Sequence, residues 1–160
     1  MSVEGKVEIE RKFLVSPSWR PRDIGISLRQ GYLNSAKERV VRVRLTDDAA
    51  KLTIKGQTTG VTRAEFEYDI PRRDAAYMLE NLCERPLIEK RRHVEAHGTH
   101  TWEIDVFEGA NAGLVIAEIE LASEDEPFER PPWLGAEVSG DSRYYNNSLL
   151  AHPFSTWIRH

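Results

Sequence analysis

The stretch Val7-Glu8-Ile9-Glu10-Arg11-Lys12-Phe13 decides how the rest of the sequence is interpreted. In an extended strand, alternate side chains lie on the same face. Glu8, Glu10 and Lys12 would therefore line one face of a strand, and the apolar residues of the stretch would line the other. A charged face is ordinary where a strand borders water, but later segments of this chain repeat the pattern with charges grouped by sign.

The composition describes one globular domain over residues 1–160. Hydrophobic residues make up 40% of the chain and charged residues 30%, which is typical of a folded protein with a substantial core. The net charge of −4 argues against a nucleic-acid partner. Cys83 is the one cysteine, which excludes an internal disulfide and fits a reducing compartment. Because no apolar run approaches the ~20 residues of a membrane helix, and no signal-peptide core is found, we predict a cytoplasmic protein without a membrane partner.

Alternation of apolar and charged residues predicts eight β-strands. The predicted strands are residues 7–13, 28–33, 38–45, 51–55, 64–70, 87–94, 101–107 and 114–121. Asp74 can cap a helix over residues 74–83, whose apolar residues share one side. A second helix is predicted near the C-terminus, over residues 141–151.

The strand faces opposite the apolar ones carry two sets of charged residues. The acidic set is Glu8, Glu10, Glu65, Glu67, Asp105, Glu118 and Glu120. The basic set is Lys12, Arg42, Arg44, Lys55, Lys90 and Arg92. For any single strand, the plain alternative is the solvated outer face of an antiparallel sheet. Two observations favour another arrangement: like charges are grouped although they destabilise a sheet when opposite each other, and serine and threonine are scarce on these faces.

An even number of strands can close on itself with the charged faces inside. We therefore predict a mainly β (α+β) fold, a closed eight-stranded antiparallel β-barrel tunnel with a charged interior, flanking helices and a C-terminal helix. Such an interior is costly unless ligands neutralise it. Clustered carboxylates favour Mg²⁺ or Mn²⁺, and clustered arginines and lysines favour phosphate groups. The residue types thus indicate a metal–polyphosphate ligand.

The stretch from Glu8 to Lys12 resembles the Glu-x-Glu-x-Lys signature of the CYTH superfamily, the triphosphate tunnel metalloenzymes. That signature alone would be weak, but further segments are similar to family segments and occur in family order. They begin at Leu28, Arg42, Leu52, Glu65, Glu89, Glu103, Glu118 and Pro132. The resemblance covers residues 6–150 approximately and is strongest to bacterial inorganic tripolyphosphatases, which implies a single CYTH-like triphosphate tunnel domain over residues 1–160.

The resemblance also implies roles for individual residues. Those expected to bind the triphosphate are Lys12, Arg42, Arg44, Lys55, Lys90 and Arg92. Those expected to bind Mg²⁺ or Mn²⁺, not all of them directly, are Glu8, Glu10, Glu65, Glu67, Asp105, Glu118 and Glu120. Those expected to be catalytic are Glu8, Glu10, Lys12 and Tyr32. Tyr32 lies where some relatives have been proposed to have a proton-accepting tyrosine, a role for which an ordinary phenol, with a pKa of about 10, is poorly suited.

The implied reaction is hydrolysis of tripolyphosphate to pyrophosphate and phosphate, by a metal-activated water inside the tunnel. Adenylate cyclase and thiamine triphosphatase are alternative activities within the family. A non-catalytic polyphosphate- or nucleotide-binding module is an alternative of another class, and it would require loss of metal-binding carboxylates. Tyr145 departs from similar tripolyphosphatases, which can have lysine there. The sequence leaves open whether the chain forms a homodimer.

Overall fold

The computed structural model describes residues 7–157, which form nine β-strands and two α-helices. The strands are β1 (Val7–Val15), β2 (Ile26–Asn34), β3 (Arg39–Leu45), β4 (Ala50–Gly56), β5 (Thr62–Asp69), β6 (Ile88–His97), β7 (His100–Phe107), β8 (Val115–Glu120) and β9 (Leu134–Glu137). The helices are α1 (Arg72–Asn81) and α2 (Ser148–Ala151), and short 3₁₀ turns occupy Gly109–Asn111, Ser142–Tyr144 and Phe154–Thr156. None of the described helices is long and apolar enough to cross a membrane.

Strands β1 to β8 form a closed antiparallel ring in the order β5-β4-β3-β2-β6-β7-β8-β1, because β1 also pairs with β5. Closure occurs where Val7, Glu8 and Ile9 pair with residues 62–64. The other edge of β1 pairs with β8. The predicted eight-stranded tunnel is therefore confirmed, with strand bounds within a few residues of those expected.

Strand β9 is an element that the sequence pattern did not predict. It pairs with the C-terminal half of β1, on the edge that β5 leaves free. Its four residues are too few to show an alternating pattern. Gly135 allows this close approach, because a Cβ there would lie 2.9 Å from the backbone oxygen of Leu14.

Apolar residues cover the outside of the ring, as the inverted barrel requires. Helix α1 packs Ala75 and Leu79 against the outer faces of β3 and β4, in a cluster that includes Val43 and Ala50. On the opposite side, residues 128–134 cover the outer faces of β1, β7 and β8. The buried residues there are Phe13, Trp102, Ile104, Ala117, Ile119 and Leu121. Burial of these outer faces leaves the charged faces directed into the lumen.

The prediction of one C-terminal helix over residues 141–151 is wrong. The structure has a 3₁₀ turn at Ser142–Tyr144, an extended residue at Tyr145, and the single-turn helix α2. Two neighbouring asparagines favour helix only weakly. Leu149 is buried against a cluster that closes the inner end of the tunnel, and the break at Tyr145 lets residues 145–147 line the lumen. Tertiary contacts thus override the helical pattern.

Glu95, on the outer face of β6, fastens two covering segments to the barrel. Its buried carboxylate accepts hydrogen bonds from the indole N–H of Trp19 at 3.0 Å and of Trp133 at 3.1 Å. We expect Glu95→Ala to lower the free energy of unfolding by about 1–3 kcal/mol, because both indoles lose their partner. Urea denaturation measures this. Glu89→Ala, at an exposed position of the same strand, is the control and should change it by less than about 0.5 kcal/mol; equal effects would contradict the assignment.

Candidate active site inside the tunnel

The lumen contains two adjoining cavities that share most of their charged lining. The outer cavity, of about 520 Å³, opens to solvent and is lined on its rim by Glu65, Glu67, Glu103 and Glu120. The inner cavity is smaller, about 50 Å³, and ends against the C-terminal segment. The residues that line both are Glu8, Glu10, Arg42, Arg44, Lys55, Arg92 and Glu118. The structure therefore brings most of the predicted site residues to one continuous space.

Strand β3 presents two arginines whose charge is only partly compensated. The Nε atom of Arg42 is buried and has no hydrogen-bond partner among the described residues, and its Nη2 atom reaches Thr53 at 3.4 Å. Arg44 donates to the side chain of Gln30 at 3.1 Å. Burial, and then the charges of Arg42 and Arg92, lower the pKa of Arg44 to about 9. Crowded cations with an unpaired donor favour a bound anion.

Asp105 holds the other pair of predicted phosphate ligands. Its two oxygens accept from Arg92 at 2.8 and 2.9 Å, and Lys90 lies 2.6 Å away. Burial acts to raise the pKa of Asp105, but the charges of Lys90 and Arg92 outweigh it and hold the pKa at about 2. Asp105 does not line either cavity, since its oxygens are directed into these ion pairs. The geometry fits a residue that orients Lys90 and Arg92 better than a metal ligand.

Lys12 lies between two carboxylates of the lumen. Its ammonium group is 3.0 Å from Glu10 and 2.6 Å from Glu118. Burial and the neighbouring charge of Glu118 raise the pKa of Glu10 to about 7. Burial opposes ionisation of Glu118 as well, yet Lys12 and the nearby cations hold its pKa well below the usual range. Glu10 is therefore the member of this pair that carries a proton near neutral pH.

A second carboxylate pair lies at the seam where the ring closes. Glu8 is 2.9 Å from Lys55 and hydrogen-bonds Glu65. Although burial acts to raise the pKa of Glu8, the bond from Glu65 and the charge of Lys55 hold it at about 2. Burial and the bond to Glu8 raise the pKa of Glu65 to about 8. The two carboxyl groups thus share one proton, which a cation could replace.

Arg63 is a lumen residue that sequence reasoning missed. It pairs with Glu8 across the β1–β5 seam, and its Nε atom is 4.0 Å from a Glu8 oxygen. The signal was present, because Arg63 lies two residues before Glu65 and therefore on the same strand face. The predicted strand began at residue 64, one position too late to include Arg63. Arg63 adds a seventh cation to the six predicted for the lumen.

Glu103 was also left out of the predicted acidic set, although it shares a strand face with Asp105. It lines the outer cavity and is 3.0 Å from Arg92. The predicted Glu67 and Glu120 lie on the same rim. Burial and the charge of Glu8 raise the pKa of Glu120. The mouth is therefore acidic, and the inner lumen is richer in cations.

Tyr32 is placed at the closed inner end, where it is 2% exposed. It packs with Val40, Ile88 and Leu149. Burial raises its pKa above the ordinary value, so even less of this side chain than of an exposed phenol is present as phenolate, the form that accepts a proton. Tyr145, at the position where similar proteins can have lysine, donates its hydroxyl to the backbone of Ser139 at 3.2 Å and lines the same end. These contacts give both tyrosines a structural part in closing the tunnel.

The carboxylates suit a hard divalent cation in donor type, since they offer only oxygen ligands. Within residues 7–157, however, no three His, Cys, Asp or Glu side chains converge closely enough to hold a metal ion unaided. Lys12 and Lys55 instead provide the positive charge between the carboxylates. A cation held by these carboxylates would therefore need water or an anionic ligand to complete its coordination.

Comparisons with known proteins agree with this geometry. The family model of the CYTH domain matches residues 6–152. An inorganic triphosphatase from Acetivibrio thermocellus is 47% identical over 151 residues, which cover 94% of this chain and 97% of that protein. An inorganic triphosphatase from Nitrosomonas europaea is 36% identical over 146 residues, which cover 89% of this chain and 95% of that protein.

A solved structure agrees with the family match. The crystal structure of an inorganic triphosphatase superposes with a TM-score of 0.63 at 32% identity, and the match covers 96% of this chain and 100% of that chain. The family match spans most of the sequence, and the closed ring with its charged lumen is the corresponding fold. The chain belongs to the CYTH-domain family.

Proposed function

We propose that this protein is a divalent-metal-dependent hydrolase that converts inorganic tripolyphosphate to pyrophosphate and phosphate inside the tunnel. The observation that carries the proposal is the crowded set of lumen cations around the unpaired, buried Nε atom of Arg42. The carboxylates on that side of the lumen do not supply enough negative charge to compensate these cations. A compact polyanion with several phosphate groups supplies it. The two triphosphatase relatives are consistent with this ligand.

The proposed roles follow from the position of each side chain. Arg42, Arg44, Lys55 and Arg63 surround the inner lumen from β3, β4 and β5, and would hold the phosphate chain. Lys90 and Arg92, oriented by Asp105, would contact it from β6. These cations would also stabilise the charge that spreads over the transferred phosphoryl group. No protein nucleophile is required, because water attacks the phosphorus.

The carboxylates at the seam and the mouth would hold Mg²⁺ or Mn²⁺. The candidates are Glu8, Glu10, Glu65, Glu67, Glu118 and Glu120. When bound, the cation supplies Lewis-acid chemistry, neutralising phosphate charge and activating the attacking water. Asp105 would act through Lys90 and Arg92 instead of binding metal, given its ion pairs.

The organic triphosphates are less well supported as substrates. Of the described residues that line the outer cavity, Val7 is the one apolar side chain. An adenine or thiazole ring would therefore find little apolar surface at the mouth. A non-catalytic binding module is also disfavoured, since the predicted carboxylates are present and most line the lumen.

A substrate panel tests the proposal. Tripolyphosphate, ATP and thiamine triphosphate are incubated with the protein and Mg²⁺ or Mn²⁺, and released phosphate and cyclic AMP are measured. We expect phosphate release from tripolyphosphate to be the fastest reaction and to stop when EDTA is added. Faster turnover of an organic triphosphate would replace the proposed substrate, and binding of tripolyphosphate without turnover of any compound would support the non-catalytic alternative.

The raised pKa values of Glu10 and Glu65 predict a pH dependence. Glu10 and Glu65 titrate near pH 7 and 8 when folded, against 4.5 when unfolded. Folding therefore takes up protons between about pH 4.5 and 7, and the melting temperature of the metal-free protein should fall across that interval. Lys90, whose pKa is lowered to about 7 chiefly by burial, opposes this only at higher pH.

Ionising the same carboxyl groups favours cation binding, so metal affinity should rise between about pH 6 and pH 8 with release of protons. Calorimetric titration of Mg²⁺ in buffers of different ionisation enthalpy measures the released protons. Glu10→Gln should reduce both the slope of the melting temperature and the proton release. A metal affinity that is independent of pH would contradict the assignment of these two groups.

We also propose that the protein acts in the cytoplasm, on a small-molecule substrate and without nucleic acid or membrane. The net charge of −4 and the single cysteine, buried beside helix α1, support this. A homodimer stays a prediction, which sedimentation analysis checks.

A further inference from the structure

Asn146 of the C-terminal segment contacts one of the predicted phosphate ligands, Lys90, directly, although its sequence position suggested only a helical residue. It lies between the turn at Ser142–Tyr144 and helix α2, and it lines the inner cavity. Its side-chain oxygen accepts a hydrogen bond from Lys90 at 3.0 Å and another from Gln30 at 3.1 Å.

Gln30 extends this contact to a second cation. It is fully buried on β2, between β3 and β6, and its side-chain oxygen accepts from Arg44 at 3.1 Å. The four side chains therefore form a chain of hydrogen bonds in the order Lys90, Asn146, Gln30, Arg44. Lysine and arginine can only donate, so both amide oxygens must accept and the orientation of both amides is determined.

Neutral hydrogen-bond acceptors have an advantage over carboxylates beside cations that are to bind phosphate. Carboxylates orient cations but also cancel their charge, as Glu10 and Glu118 do for Lys12. An amide oxygen orients an ammonium or guanidinium group and leaves its full charge for an anion. Asp105 already pairs with Lys90 at 2.6 Å, so Gln30 and Asn146 add contacts that orient Lys90 and Arg44 without compensating their charge further.

The C-terminal segment is anchored to the barrel on both sides of Asn146, which fixes the position of its side chain. Leu149 and Leu150 are buried in the cluster at the inner end. Asn147 donates to the backbone of Ser35 at 3.0 Å, and Tyr145 donates to that of Ser139. These contacts lie on both sides of Asn146, so its amide is held in place.

We propose that Asn146 is a positioning residue for the triphosphate, which orients Lys90 directly and Arg44 through Gln30 without neutralising either. This inference rests on the proposed function, and it assigns the C-terminal segment a part in substrate affinity. A residue that merely fills space at the inner end would have no such dependence on charge.

Two substitutions separate the electrostatic role from a structural one. Asn146→Ala removes the shared acceptor, and we expect the KM for tripolyphosphate to rise about tenfold. Asn146→Asp keeps an acceptor for both neighbours but adds a negative charge, and the KM should rise further, by about 100-fold. A structural role predicts the opposite order, since aspartate preserves the contacts and alanine does not. Ser148→Ala, in the same segment but outside the tunnel lining, is the control and should leave the KM unchanged.

A binding measurement without metal complements the kinetics. Tripolyphosphate in the presence of EDTA should raise the melting temperature of the wild-type protein, less so for Asn146→Ala, and not for Asn146→Asp. The inference is overturned if Asn146→Asp binds and turns over tripolyphosphate as well as Asn146→Ala or better. Absence of hydrolysis by the wild-type protein would instead overturn the proposed function, so the two failures are distinguishable.

Discussion

Glu10→Gln is expected to lower the rate of tripolyphosphate hydrolysis by about 10³-fold or more while the protein stays folded. Glutamine has nearly the same shape as glutamate, but it lacks the charge that attracts a divalent cation. Lys12 keeps its 2.6 Å ion pair with Glu118, so it is not left unpaired. Circular dichroism and phosphate release measure the two parts of this prediction.

The free energy of unfolding provides a second readout for the same variant. Burial, and then the charges of Glu118 and Glu8, disfavour ionisation of Glu10 and raise its pKa. Removing the charge should therefore leave stability unchanged or raise it at pH values above about 7. Glu89→Gln, at an exposed position on the outer face of β6, is the matched control and should retain full activity. Wild-type rates for Glu10→Gln would mean that the tunnel is assigned incorrectly.

Arg42→Met should abolish most of the activity and at the same time stabilise the ligand-free protein. Arg42 contributes to the lowered pKa values of both Arg44 and Lys55, which shows how strongly these cations repel one another. Its own contacts are weak, since Thr53 is 3.4 Å away and the Nε atom is unpaired. An unsatisfied buried donor costs about 1–3 kcal/mol, so replacing Arg42 by an apolar side chain of similar length should stabilise the ligand-free protein by an amount of that order.

For activity, the loss of one cation from the phosphate cage should reduce kcat/KM about 10²- to 10⁴-fold. Arg29→Met, on the outer face of β2, is the control, because the Arg29 side chain is exposed and its ion pair with Glu89 is long, at 3.8 Å. It should change neither activity nor stability appreciably. Loss of stability in Arg42→Met would show that Arg42 is a structural residue of the barrel and would contradict its assignment to substrate binding.

Much of the tunnel could be predicted because alternation and charge carry the information along each strand. The grouping of like charges on the faces of β1, β3, β5 and β8 was informative, since such faces are unfavourable in water but reasonable around a charged ligand. This grouping predicted that the strands close into a ring with the charged faces inside. Arg63 was missed because β5 begins at Thr62, two residues before the predicted start of the strand.

Other features could not be predicted, because they depend on contacts between distant segments. Strand β9 has four residues, and only its proximity to β1 makes it a strand. The break at Tyr145 is favoured by contacts of Asn146 and Leu149 with the barrel, which local propensity does not reveal. Asp105 resembles the other carboxylates in sequence, yet its partners Lys90 and Arg92 remove it from the lumen surface.

Hydrolysis of tripolyphosphate in ¹⁸O-labelled water tests the central claim most directly. The protein is incubated with tripolyphosphate and Mg²⁺, and the products are analysed by ³¹P NMR, in which ¹⁸O shifts the phosphorus signal. Attack of water on a terminal phosphorus predicts equal amounts of phosphate and pyrophosphate, with the label only in phosphate. Label in pyrophosphate, or no hydrolysis with either Mg²⁺ or Mn²⁺, would contradict the account.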